Sequence, residues 1–276
     1  MPRDRSIRCL VDGEERDRLS VFDRGLQFGD GLFETIAVVE GTPALWRRHL
    51  RRLSMGCEQL GIEMPDPELL EREAAALLGD GRNAVLKILV TRGRSQRGYR
   101  PPAASRSTRI LESLPWDGPA AAPAALAVVT CRQRLGQQPG YAGLKHLNRL
   151  EQVLAQREFD SGEGLMLDSE GFVVEGTASN LFLVFEGELH TPLIDRCGVA
   201  GVVRQLVLEV ARRRNRPVVV RRIRPEELGE AEGLFLTSSL LGVVPVARLD
   251  GDDKAVKITH HPVLEEVARR VFTNDG

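Results

Sequence analysis

The chain has 276 residues, 42% of them hydrophobic and 28% charged, with a formal net charge of −1. That balance supplies apolar surface for a real core and suits one large domain or two of ordinary size. It gives no whole-molecule field toward nucleic acid or a membrane surface. No apolar run approaches the roughly 20 residues of a membrane helix. The opening MPRDRSIRCL lacks the apolar core of a signal peptide, and the four cysteines, Cys9, Cys57, Cys131 and Cys197, form no C-x-x-C pair. They read as reduced, mostly buried thiols of a cytoplasmic protein.

In chain order, the first half opens with a strand near Ile7–Val11, turned at Asp12-Gly13. Ser20–Asp30, rich in Gly and Asp, reads as a loop. Phe33–Glu40 is β-branched and reads as a strand. Apolar positions at helical spacing predict an amphipathic helix over Leu45–Leu60, and a second helix covers Pro67–Leu78. The apolar run Ala84–Gly93 is a buried strand that enters a polar loop, Arg94–Ser107, before a strand at Thr108–Ser113. The composition then shifts to WDGPAAAPAA, a Pro/Ala/Gly stretch without periodicity. It reads as a linker over residues 116–125, between a smaller N-terminal domain (1–115) and a larger C-terminal one (126–276).

The second half begins with a strand at Leu126–Cys131 and a Gly-rich loop, Leu135–Gly143, that ends at Lys145. Leu147, Leu150, Leu154 and Phe159 mark a helix. Asp168-Ser169-Glu170-Gly171 is a hairpin signal between Leu165–Leu167 and Phe172–Glu175. Asn180–Phe185 and Glu188–Thr191 flank a turn at Glu186-Gly187. Val202–Arg213 is a helix whose terminal arginines suit the negative end of its dipole. Strands near Val218–Ile223, Leu234–Ser238 and Val243–Leu249 precede a last helix, Pro262–Phe272. Strands outnumber helices without strict alternation, which argues for α+β.

Several chemistries are missing. The chain has no G-x-S-x-G elbow, no Walker loop, no G-x-G-x-x-G and no H-E-x-x-H. Its five histidines suggest no metal site. Arg212–Arg224 contains seven arginines, but no aromatics interleave for base stacking, so a solvated helix end and strand is the simpler reading. Lys145 stands among Gly143, Leu144 and Leu147, which is consistent with a buried amine of lowered pKa, the state a Schiff-base lysine needs. A pyridoxal-phosphate site also needs an acid at the pyridine nitrogen and a phosphate cradle of backbone N–H groups. Glu175, the helix start Gly201-Val202-Val203 and the hydroxyls of Thr237-Ser238-Ser239 are candidates for those parts.

At these residues the chain resembles a known family. DRGLQFGDGLFETI (Asp23–Ile36), HLRRL (His49–Leu53), KHLNRLEQVL (Lys145–Leu154), EGTASNLF (Glu175–Phe182) and GVAGVVRQ (Gly198–Gln205) occur in order. Together they resemble the fold-type IV pyridoxal-phosphate enzymes, the class IV aminotransferase-like family, over nearly the whole chain. The resemblance implies a two-domain α+β fold: a small α/β sandwich domain, and a larger pseudo-barrel β domain with helices that carries the Schiff-base lysine. It implies that Lys145 carries pyridoxal 5'-phosphate and moves protons, that Glu175 pairs with the pyridine nitrogen, and that Arg52 binds the phosphate. Val202 and Val203 then give backbone N–H groups, and Ser239, with Ser238, a hydroxyl.

Within the family, the Lys145–Leu154 run looks most like the lyase branch, which converts 4-amino-4-deoxychorismate to 4-aminobenzoate and pyruvate on the way to folate. A D-amino-acid or branched-chain aminotransferase is the alternative. Arg97 and Tyr99 align with positions that grip a substrate carboxylate in the D-amino-acid transferases, as an arginine fork can, whereas a mobile surface loop is the plainer reading of the same segment. The resemblance further implies a homodimer acting on a small molecule, with neither nucleic acid nor membrane as partner.

Overall fold

A computed structural model describes residues 7–274 apart from 80, 104 and 251–254. The chain divides into two compact units. One comprises residues 1–121, 145–148 and 272–276, and the other residues 122–144 and 149–271. The break at 121/122 falls inside the Pro/Ala/Gly stretch, just after a single 3₁₀ turn at Pro119–Ala121. Two short pieces differ from the sequence-based boundaries. Lys145–Asn148, expected in the C-terminal domain, and the end of the chain both group with the first unit.

The first unit is built on an antiparallel six-stranded sheet, ordered β2-β1-β6-β5-β3-β4. Its strands are β1 (Arg8–Val11), β2 (Glu14–Glu15), β3 (Gly31–Val39), β4 (Thr42–Pro43), β5 (Ala84–Thr91) and β6 (Thr108–Pro115). Asp12 and Gly13, both at positive φ, close the β1–β2 hairpin. Three helices accompany the sheet: α1 (Arg24–Phe28), α2 (Trp46–Leu60) and α3 (Pro67–Leu78). Helix α1 lies where a loop was expected. It is a five-residue turn whose N-terminus is capped by the Asp23 carboxylate and whose C-terminus is closed by left-handed Gly29. Helix α2 buries Trp46, His49, Leu53, Gly56 and Cys57, one face at i, i+3, i+4 spacing, against β3. Each large apolar side chain so buried contributes about 2 kcal/mol. Helix α3 starts at the Asp66 cap with Pro67 in its first turn. It is tied to β6 by Glu73, whose carboxylate accepts from Arg109 at 2.6 and 2.8 Å.

The second unit is a mixed eight-stranded sheet, ordered β12-β11-β10-β13-β14-β7-β8-β9. In chain order its elements are β7 (Leu126–Leu135), α4 (Leu150–Ala155), β8 (Glu163–Asp168), β9 (Val173–Gly176), β10 (Asn180–Phe185), β11 (Glu188–Pro192), α5 (Val202–Arg213), β12 (Val219–Arg221), β13 (Gly233–Ser238), β14 (Gly242–Leu249) and α6 (Pro262–Arg270). The two ends of this sheet meet: Val173 of β9 donates its N–H to the carbonyl of Ile223, just past β12, at 2.8 Å. The sheet is therefore rolled into a pseudo-barrel around Leu165, Leu181, Leu183, Leu234, Leu236 and Val246. Helices α5 and α6 pack on each other and on β13 and β14.

Helix α4 departs from expectation. It does not begin beside Lys145 but at Leu150, and its buried residues are Gln152 and Ala155. Leu150, Val153 and Leu154 are exposed, so the apolar spacing read from the sequence marks a surface face rather than a core face. Cys57 and Cys131 are buried, and Cys9 and Cys197 are half-buried free thiols.

Candidate active site

The first unit assembles a cluster around Lys145. Residues 145–147 lie along the start of β3 through a bridge from His146 to Leu32, where the Phe33 N–H donates to the Lys145 carbonyl at 2.9 Å and the Leu147 N–H to the Gly31 carbonyl at 3.0 Å. Gly31 permits this approach, since a Cβ there would stand 2.6 Å from the Val90 carbonyl oxygen and 2.8 Å from Leu147 Cδ1. The pairing explains why Lys145–Asn148 groups with the first unit. It also sets the half-buried amine over an aromatic face, with Lys145 Nζ 4.3 Å from the centroid of the Phe33 ring.

The next residue of β3, Glu34, is 1% exposed. Its carboxylate receives two side chains from one face of α2, His49 Nδ1 at 2.6 Å and Arg52 Nε at 2.7 Å, and a second Arg52 nitrogen, Nη2, bonds its other oxygen. This is a two-point guanidinium–carboxylate fork with fixed orientation. Burial pushes the Glu34 carboxyl up, but the charge and hydrogen bonds of Arg52 and the hydrogen bond from His49 outweigh it and hold the group at about 2. Burial pulls His49 below its ordinary value against the pull of Glu34, and the cations of Arg52 and Lys145 push the same way. Glu34 is thus ionised and His49 neutral, its Nδ1–H donating to the carboxylate. Lys145 and Arg52, both candidates from the sequence, lie in the first unit, and the charges of both act on His49. Glu34 and His49 were missed, although a lone carboxylate in the apolar run GLFETIAVV, and His49 one helical turn from Arg52, were the available signals.

In the second unit, Glu175 on β9 is 2% exposed. Its carboxylate accepts the Val199 N–H at 2.8 Å and the Asn180 side-chain amide at 3.3 Å, and that amide also donates to the Val199 carbonyl at 2.9 Å. The carboxylate is therefore held in one orientation by neutral donors. Asn180 also excludes a side chain at Gly201, where a Cβ would collide with its Oδ1. Gly201 is the N-cap of α5 and offers no side-chain cap, and no acid occupies the first turn. The N–H groups of Val202 and Val203 therefore sit at the positive end of a helix dipole suited to an anion. Arg204 follows them, 5% exposed, donating to the Pro192 carbonyl at 3.0 Å. Burial brings its pKa down to about 10, against the charge of Glu175. Strand register places Thr237 opposite Asn180, so Ser238 and half-buried Ser239 follow beside the same end of β10. Ser238 Oγ accepts the Leu241 N–H at 3.1 Å.

Arg97 and Tyr99 lie in a cavity lining that does not include Lys145. They line an open cavity of about 1210 Å³ in the first unit, together with Phe22, Phe28, Arg94 and Pro102. Tyr99 is 84% exposed. In the Arg212–Arg224 run, Arg214 pairs with Glu266, Arg221 with Glu227 and Arg222 with Asp195, while Arg224 stacks over Phe172. This segment is laced to neighbouring acids rather than presented as a bare cationic face.

A largely buried guanidinium and a lysine amine in the first unit, and a buried acid with fixed donors and an uncapped helix start in the second, are each of the chemistry that a phosphorylated pyridine aldehyde requires. Residues 31–249 match the family model described as amino-transferase class IV. The chain is similar to an aminodeoxychorismate lyase of Vibrio harveyi, at 34% identity over 89% of this chain and 93% of that one. It is also similar, at 31% identity over 86% and 85%, to a Methanocaldococcus jannaschii protein provisionally named a branched-chain-amino-acid aminotransferase. Among solved structures, the 4-amino-4-deoxychorismate lyase of Pseudomonas aeruginosa superposes with a TM-score of 0.85 and 44% identity, covering 95% of this chain and 97% of that one.

Proposed function

Because the chain belongs to the class IV aminotransferase family, we propose that it is an aminodeoxychorismate lyase, which uses pyridoxal phosphate to convert 4-amino-4-deoxychorismate to 4-aminobenzoate and pyruvate. The likeness to the Pseudomonas aeruginosa lyase over nearly the full length carries this reading. Bound pyridoxal phosphate supplies an imine-forming aldehyde and an electron sink at its pyridine ring. Lys145 is the amine that holds it and, once released, the base that takes the proton from the substrate carbon bearing nitrogen. Glu175 keeps the ring nitrogen protonated. Arg52, aimed by Glu34, grips the phosphate together with the Val202 and Val203 N–H groups and the hydroxyls of Ser239 and Ser238. Arg97 and Tyr99 take a substrate carboxylate. Departure of the enolpyruvyl group as pyruvate leaves an aromatic ring, so the protein mainly positions groups and moves protons.

The same reading makes the protein a cytoplasmic homodimer acting on a small molecule in folate synthesis, without nucleic-acid or membrane partners. The exposed apolar face of α4 supports a partner copy. Among the described residues, no helix is long and apolar enough to cross a membrane. Pyruvate release from 4-amino-4-deoxychorismate, with no keto acid present, tests the assignment. An aminotransferase, the reading favoured by the Methanocaldococcus relative, instead gives no pyruvate and moves an amino group from an amino acid to a keto acid.

A further inference from the structure

The loop that carries Arg97 and Tyr99 is held by a residue to which no role has been given above. Arg24, the first residue of α1, is 3% exposed. Its Nε donates to Asp30 Oδ2 at 2.7 Å, and its outer nitrogens reach the loop: Nη1 to Ser95 Oγ at 3.2 Å and the Gly98 carbonyl at 3.1 Å, Nη2 to the Tyr99 carbonyl at 2.8 Å. The guanidinium plane also lies over Phe28, 4.9 Å from its centroid, and Phe28 packs against the Tyr99 ring at 5.3 Å. Asp30 is itself fixed from the other side by Arg92, whose Nε donates to the same oxygen at 2.8 Å while its outer nitrogens bind the carbonyls of Leu60 and Gly61. The two arginines do matching work. One closes the end of α2, and the other holds three acceptors of an otherwise exposed loop. Burial raises the Asp30 carboxyl, but the bonds from Arg92 and Arg24 bring it below its ordinary value, so it stays ionised as their common anchor.

We propose that Arg24 is a positioning residue for the reaction: from its seat beside Asp30 it sets the backbone of Ser95–Tyr99, and through that backbone the affinity of the loop for a carboxylate substrate. This rests on the reading that Arg97 and Tyr99 grip that carboxylate. A flexible loop must be ordered whenever substrate binds, and that ordering opposes binding. A loop already fixed by a planar fork avoids it. Lysine cannot replace the fork, because an ammonium can keep its charge beside Asp30 but cannot span the three loop acceptors.

The test compares Arg24→Lys, Arg97→Ala and the double variant as holoenzymes in pyruvate release, and Arg24→Lys with wild type in tryptic cleavage after Arg97. Arg100 precedes Pro101 and resists trypsin, so this cut reports the loop. Folded Arg24→Lys should show KM raised about tenfold with kcat within about twofold, and clearly faster cleavage than wild type. In the double variant KM should rise over Arg97→Ala alone by clearly less than about tenfold, because a mis-set loop and a missing guanidinium lose the Arg97 contact once and only the share of Tyr99 is left to lose. A folded Arg24→Lys with wild-type KM and cleavage overturns the role of Arg24. A wild-type KM in Arg97→Ala and Tyr99→Phe overturns the reading beneath it, whatever Arg24→Lys does. If Arg24→Lys does not fold, Ser95→Ala removes one of the three acceptors. A KM raised about threefold then supports the proposal and an unchanged KM and cleavage rate overturn it.

Discussion

Replacing Glu34 by glutamine keeps the shape of the side chain and removes the charge that aims Arg52. The carboxyl is held at about 2 instead of its usual 4.5, a displacement worth about 3 kcal/mol of stability at neutral pH. The sign follows from the direction. A folded-state pKa below the unfolded one stabilises above the unfolded value, and that stabilisation is lost as pH falls from about 4.5 toward 2. Loss of the anion also leaves the Arg52 guanidinium in a largely buried site without its fork partner. Glu34→Gln should therefore unfold about 3 kcal/mol more easily in urea at pH 7, with the gap to wild type closing in acid, and should bind pyridoxal phosphate more weakly. Denaturation curves between pH 7 and 3, with a cofactor titration of the folded apoprotein, measure both. A variant within about 0.5 kcal/mol of wild type at every pH, with unchanged cofactor affinity, would refute the argument that Glu34 organises the site.

Three further substitutions probe other parts of the account. Gly201→Ala has an allowed backbone but places a methyl on Asn180 Oδ1. It should disturb the donor that orients Glu175 and raise the cofactor Kd about tenfold in a spectroscopic titration. Gly31→Ala pushes a methyl toward the Val90 carbonyl and Leu147, so it should displace residues 145–147 and slow borohydride-stable labelling by pyridoxal phosphate several-fold. Leu150→Glu alters a residue 69% exposed in the single chain. It should cost the subunit less than about 0.5 kcal/mol yet convert a dimer to a monomer in sedimentation velocity, whereas a variant that stays dimeric removes this face of α4 from the interface.

Elements with strong local signals were legible in the sequence. Helix α3 carries its own start in Asp66 and Pro67, and α5 runs from Val202 to Arg213, the span its apolar spacing predicts. The turn at Glu186-Gly187 follows from two adjacent positive-φ residues. Helix α1 was not legible, because five residues that include Gly25 and end at Gly29 hold too little periodicity. It is stabilised instead by the Asp23 cap and a hydrogen bond from the Arg24 N–H to the Gly93 carbonyl, 69 residues away. Helix α4 misled for a different reason. Apolar spacing predicts a face but not what covers it, and here Leu150 and Leu154 lie on the surface. Among the candidate site residues, Lys145, Arg52 and Glu175 are proposed from motifs. Glu34 required the register of β3 against α2, Asn180 required the turn between β9 and β10, and Arg24 required a contact across some 70 residues. None of these follows from local pattern.

The central claim is that one particular amine carries the cofactor, and the chain's low lysine content makes it directly testable. Only Lys87, Lys145, Lys254 and Lys257 are present. Borohydride reduction of the holoenzyme followed by peptide mass mapping should place the pyridoxyl group on Lys145 alone, and Lys145→Ala should fold, carry no adduct and release no pyruvate. An adduct on one of the other three lysines, or turnover retained in Lys145→Ala, would contradict the account.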